Sequence, residues 1–119
     1  VIHCWNEEQV LPKLFERLGA VASQWGCDFE VILVDDGSSD ATWRLIQSFH
    51  ATDSRWKGIR LGRNFGHQLA LRAGLHMAQG DVVVVLDADL QDPPEVAGEM
   101  LGRWQQGFDV VVGVRQRRK

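Results

Sequence analysis

Two runs in this chain leave little freedom in the fold. Phe29-Glu30-Val31-Ile32-Leu33-Val34 and Val82-Val83-Val84-Val85-Leu86 are strand-length, rich in β-branched residues and without regular polar alternation. A strand with one solvated face alternates, whereas a strand covered on both faces reads as continuous apolar sequence. Each run ends abruptly in acid, at Asp35-Asp36-Gly37-Ser38 and at Asp87-Ala88-Asp89. Segments with helical spacing separate the runs. Leu11, Leu14, Phe15, Leu18, Val21, Ala22 and Trp25 form an apolar stripe on a helix from about 9 to 25, and Pro12 sets its start near Val10.

The remaining elements follow in the same way. A short strand covers Val1 to Trp5. Ser39 or Asp40 caps a second helix running to about Ala51, with Trp43, Leu45, Ile46 and Phe49 on its apolar side. A weaker strand spans Gly58 to Leu61, a helix Gln68 to Ala78, a strand Asp81 to Leu86, a helix Pro93 to Gln106, and a last strand Asp109 to Val114. This alternation predicts an α/β fold, a mostly parallel open sheet with helices on both faces, made of residues 1–119 as one domain. In such sheets ligands bind beyond the carboxyl ends of the strands. The polar clusters lie at those ends: Asn6-Glu7-Glu8, Asp35 to Ser38, Arg63-Asn64, Asp87 to Gln91, and Arg115.

Composition narrows the classes. A net charge of −3 gives no general attraction for nucleic acid or an anionic membrane. No apolar run approaches bilayer-spanning length, and two cysteines, Cys4 and Cys27, make no disulfide framework or zinc site. The first residues read as mid-strand and the Arg117-Arg118-Lys119 end closes no element, so a fragment of a longer protein is expected.

The acids carry the chemistry. Asp92-Pro93-Pro94-Glu95 reads as a capping box, with Asp92 as cap and Glu95 three positions on. Asp87 and Asp89 have no such account. Two positions apart in extended chain they face one way, with Gln91 following. Two carboxylates roughly 4 to 6 Å apart at a low-dielectric rim repel by a few kcal/mol unless a cation intervenes or one is protonated. Two charged oxygens and an amide carbonyl suit Mg²⁺ or Mn²⁺. Asp35-Asp36 has two readings, a turn before a helix or an acceptor for a nucleobase and ribose. Arg115 leaves the same rim as Asp87, where a guanidinium can grip diphosphate. Of His3, His50, His67 and His76, only His67 stands at the rim with a possible role, and no hydrolytic triad is present.

Familiar nucleotide motifs are absent. No Gly-x-Gly-x-x-Gly follows the first strand and no Gly-x-x-x-x-Gly-Lys-Ser/Thr exists. A phosphoacceptor receiver domain places its acid pair after its first strand, whereas here a strand and a long helix come before.

In order and at matching separations, "NEE", "VILVDDGSSD", "LGRNFGHQLALRAG", "GDVVVVLDADLQDPPE" and "GFDVVVGVRQRR" resemble the family 2 glycosyltransferases of GT-A fold. More narrowly they resemble the polyprenyl-phosphate sugar transferases, the dolichol-phosphate mannose synthase and undecaprenyl-phosphate glycosyltransferase group. The resemblance implies metal-dependent, inverting transfer from a nucleoside-diphosphate sugar, UDP-linked or GDP-linked, to a polyprenyl phosphate. It implies that Trp5, Asn6 and Glu7 contact the nucleotide and that Asp36, with Asp35, binds the base. Asp87, Asp89 and Gln91 would hold Mg²⁺ or Mn²⁺, with Asp87 and Asp89 as the catalytic acids. Arg115 would contact the phosphates, and Arg63, Asn64 and Gly66 would lie beside the donor sugar and diphosphate. The parent protein would work at the cytoplasmic face of a membrane, anchored through segments absent from this chain. Two alternatives are a nucleotide- and metal-binding fragment without turnover and a transferase acting on a non-lipid saccharide. One departure is plain: the family's Pro-x-Tyr before Asn-Glu is His3-Cys4-Trp5 here.

Overall fold

The computed structural model describes residues 1–90 and 93–107. Gln91, Asp92, the expected strand at 109–114, Arg115 and the basic end lie outside the described residues. The elements run β1 (Ile2–Cys4), α1 (Leu11–Ala22), β2 (Val31–Asp35), α2 (Thr42–Thr52), β3 (Trp56–Arg60), α3 (His67–Met77), β4 (Leu86–Asp87) and α4 (Glu95–Gln105). The described strands form one parallel sheet in the order β3-β2-β1-β4.

All five residues of β2 are buried, as its unbroken apolar run requires. Val31 and Leu33 face one side with Ile2, Cys4 and Leu86, where Leu11, Leu14 and Leu18 of α1, Ile46 and Phe49 of α2 and Ala97 of α4 cover them. Ile32 and Val34 face the other side, where Ala70 of α3 closes over them. Each buried aliphatic side chain contributes about 1.5–3 kcal/mol. Helices therefore cover both faces, three on one and α3 on the other. Gly74 lets α3 come close: a Cβ there would meet the side chains of Val1 and Val34. Phe15 stacks on Phe49 at 4.3 Å between ring centroids, and Trp56 meets Phe15 edge-on at 4.7 Å, joining α1, α2 and β3.

Three local expectations need correction. The fourth strand is two residues long and does not run from Asp81. Its register sets Ile2 opposite Leu86, so residues 81–84 lie beyond Val1, whose amino group donates to the Val84 carbonyl at 2.9 Å. Val83 and Val85 are accordingly 41% and 42% exposed. Second, α4 starts at Glu95 with Pro94 before it, so Glu95 is not the third residue of a capping box. Pro93 and Pro94 have no N–H to give, and the helix opens with Val96 and Ala97 bonding back to their carbonyls. Glu95 instead reaches Arg17 of α1 at 3.2 Å. Third, α2 starts at Thr42, and Asp40 satisfies its first amide from one residue further back than an N-cap: Oδ1 accepts from the Thr42 amide at 2.9 Å and its hydroxyl at 2.6 Å.

Both cysteines are free, and burial pushes the Cys4 thiol up, as fits a core residue. Among the described residues no helix is long and apolar enough to cross a membrane.

Candidate functional site

A parallel sheet delivers every strand to the same edge. The segments after β1, β2, β3 and β4 accordingly meet at one rim, and hydrogen bonds lock the first three together. Asn6 takes a left-handed conformation with φ 51°. Its amide donates to Ser38 Oγ at 2.8 Å, and its Oδ1 accepts from the Ser39 amide at 2.9 Å. The Glu7 amide donates to Thr42 Oγ1 at 2.8 Å and the Glu8 amide to Asp40 Oδ2 at 3.2 Å. The Ala41 amide returns a bond to Glu8 Oε2 at 3.2 Å. The Asn-Glu-Glu and Gly-Ser-Ser-Asp stretches are thus two halves of one latch. Trp5, next to it, is 48% exposed, an open aromatic face beside the rim.

Asp35 and Asp36 are both fully buried, so each carboxylate needs partners. Asp36 has them: Oδ1 accepts from the Phe65 amide at 2.7 Å, and Oδ2 accepts from the Gly66 amide at 3.1 Å and meets His3 Nε2 at 2.8 Å. Asp35 Oδ1 accepts from the Ser38 amide at 3.0 Å, closing the turn, while its Oδ2 has no partner among the described residues. Of the two sequence readings of the pair, the turn is the one observed. The pair also keeps one buried acceptor open.

The Arg63–Gly66 segment rests directly on this turn. Gly37 has φ +74°, and a Cβ there would lie 2.5 Å from Arg63 C and from Asn64 N. Only glycine allows both that conformation and that approach. Gly37→Ala is expected to cost on the order of 2–4 kcal/mol, from left-handed strain plus forced displacement of the 63–64 backbone. Urea unfolding of the full-length protein measures it as a lowered midpoint at unchanged slope. Arg63 lies over the Phe65 ring, 4.6 Å from its centroid, and Arg63 and Asn64 are both exposed at the rim. Gly66, with φ +98°, opens α3.

Asp87 is half-buried at the end of β4, and Asp89 is exposed two residues on, with Ala88 buried between them. Burial pushes the Glu7 carboxyl above its usual range. Asp89 adds to that shift, as do Asp40 and Asp87, against an opposing contribution from His3. Glu7, Asp87 and Asp89 therefore share one electrostatic field. Among the described residues no three acidic, histidine or cysteine side chains close on a single point as a protein-only metal cage would. The donor set is hard oxygen, few in number and open to solvent at Asp89. That fits an ion such as Mg²⁺, which keeps water and phosphate in its shell.

Of the residues expected from sequence, Trp5, Asn6, Glu7, Asp35, Asp36, Arg63, Asn64, Gly66, Asp87 and Asp89 all stand on this rim. Gln91 and Arg115 lie outside the described residues. Sequence reasoning placed Ser38 on the rim without a task and Ser39 only as a helix cap, and it missed His3 and Thr42. The signal for His3 was its place one residue before the end of β1, where alternation turns it away from buried Ile2 and Cys4 toward α3.

The glycosyl transferase family 2 model matches residues 1–119. The chain belongs to that family. Among its relatives, the Bacillus subtilis (strain 168) protein named uncharacterized glycosyltransferase YkcC is 44% identical over 119 residues. The undecaprenyl-phosphate 4-deoxy-4-formamido-L-arabinose transferase of Erwinia tasmaniensis is 45% identical over 120 residues. Each match covers 100% of this chain and 37% of the relative, so the chain spans little more than a third of their length. Among solved structures, S. aureus TarS aligns with a TM-score of 0.58 at 26% identity, over 74% of this chain and 16% of that one. TarS 1–349 in complex with UDP aligns at 0.60 and 24% identity, over 75% and 26%. The mostly parallel α/β sheet of GT-A type, expected from the sequence, is the fold observed.

Proposed function

We propose that this family 2 chain is the donor-binding part of an enzyme that moves a sugar from a nucleoside-diphosphate sugar to a polyprenyl phosphate. The observation that carries the reading is that the acids closing β4, half-buried Asp87 and exposed Asp89, share one rim with Asp35 Oδ2, a buried acceptor with no partner among the described residues. The acceptor class is supported by relatives named undecaprenyl-phosphate transferases at 41–45% identity across the whole chain. A UDP-sugar is the favoured donor, with GDP-mannose the other candidate.

Each residue then has a task. Asp35 Oδ2 accepts an N–H from the base edge, and Trp5 offers a face for stacking. Asp36 holds the 63–66 segment, so that Arg63 and Asn64 stand beside the sugar and diphosphate. Asp87 and Asp89, with Gln91, would hold Mg²⁺ or Mn²⁺. Such an ion supplies charge neutralisation for the departing nucleoside diphosphate. Arg115 adds a guanidinium on the same phosphates. An acceptor phosphate is already ionised at neutral pH, so its oxygen can attack the anomeric carbon with inversion and without a general base. The parent protein would act at the cytoplasmic face of a membrane.

The test is the full-length protein supplied with UDP-sugars and GDP-mannose in turn, with undecaprenyl phosphate and Mg²⁺. Mass spectrometry is expected to find a sugar-phosphate lipid. Transfer seen only when a saccharide acceptor replaces the lipid, or no transfer from any donor, would overturn the reading.

A further inference from the structure

His3 stands in β1 and turns toward α3, away from the buried Ile2 and Cys4 on either side. Three neighbours enclose it. Its Nε2 meets Asp36 Oδ2 at 2.8 Å, its ring lies 4.9 Å from the ring of His67 at the first turn of α3, and its register partner on β4 is Asp87. An ionised Asp36 can only accept, so His3 Nε2 carries the proton and donates it.

The same carboxylate accepts the Phe65 and Gly66 amides, and the adjoining Gly37 is in close contact with Arg63 and Asn64. Asp36 thus has its two oxygens shared among three donors, of which His3 is the one that belongs to the neighbouring strand. If that donor is removed, the carboxylate loses its side-chain tie to β1 and is held only by the two amides of the turn that it has to fix. The residues carried by that turn are Arg63 and Asn64, at the donor side of the rim.

We propose that His3 is a positioning residue for donor binding, acting through Asp36 to fix the Arg63–Gly66 turn. This rests on the donor reading above. It concerns a residue that stands where the resembling family has proline, and it acts without touching the substrate.

The full-length protein tests it with two substitutions of equal polarity. His3→Gln carries an N–H to nearly the position of Nε2, whereas His3→Asn falls one atom short. Amide hydrogen exchange followed by mass spectrometry reports the 63–66 turn directly. It is expected to be as protected in His3→Gln as in the parent and to exchange at least tenfold faster in His3→Asn. The KM for the nucleoside-diphosphate sugar is expected to rise roughly tenfold in His3→Asn, with kcat within about twofold, and to be restored in His3→Gln. Equal exchange in the two variants, or faster exchange in His3→Asn with an unchanged KM, would overturn the proposal. A parent protein that transfers no sugar while the exchange contrast persists would count against the donor reading and not against the role of His3 in the turn.

Discussion

Asp36→Ala is expected to be the most destabilising single substitution at the rim, because it removes one carboxylate from three donors at once. The Phe65 and Gly66 amides and His3 Nε2 would all lose their acceptor. An orphaned donor costs about 1–3 kcal/mol when buried, and these sites are part-buried, so the low end applies to each. The sum, about 3–5 kcal/mol, is comparable with breaking a buried ion pair and is a large share of a typical domain's stability. Asp36→Asn keeps one carbonyl oxygen and is expected to cost about half as much. Urea unfolding of the full-length protein gives both numbers. An unfolding free energy for Asp36→Ala within about 1 kcal/mol of the parent would show that the clamp does not hold the turn.

The second large effect has the opposite character. Asp89→Ala is expected to lower sugar transfer by a factor of about 10²–10³ or more at saturating Mg²⁺ or Mn²⁺, the scale on which lost charge stabilisation is felt. Stability should change by no more than about 1 kcal/mol, since Asp89 is exposed. Its charge also helps push the Glu7 carboxyl up, so its removal eases that repulsion. Asp36 and Asp89 thus make a contrasting pair, one variant failing by unfolding and the other by losing turnover while folded. Transfer rate and thermal midpoint, measured together on each, separate the two. Undiminished transfer by Asp89→Ala with metal present would remove it from the site.

Much of this arrangement was legible in the sequence because it follows from periodicity. Unbroken apolar runs gave β2 its burial on both faces, and the alternation of strands with helices placed every acid cluster on one edge. What stayed hidden depended on pairing across the chain. The segment from Asp81 to Leu86 reads as a six-residue strand, yet its ladder is set by where β1 begins, and only Leu86 and Asp87 find partners in β1. Two prolines before Glu95 looked like helix-start chemistry, and the helix instead waits until the first residue with an amide. The division of labour within Asp35-Asp36 was not readable at all. Strand parity sends one side chain to each face, and only the fold shows that the α3 side supplies Phe65, Gly66 and His3. His3 itself looked like a scattered histidine because its partner lies 33 residues away.

On the proposed reading, Asp87 at the end of β4 and Asp89 just beyond it hold a cation over which a nucleoside diphosphate docks. A crystal of the full-length protein grown with UDP and Mn²⁺ tests it most directly through the anomalous signal of manganese. The expected result is one strong peak between the carboxylates of Asp87 and Asp89 and the diphosphate oxygens, with the uracil edge at Asp35 Oδ2. UDP bound with no manganese at those two acids, or bound away from the rim, would contradict it.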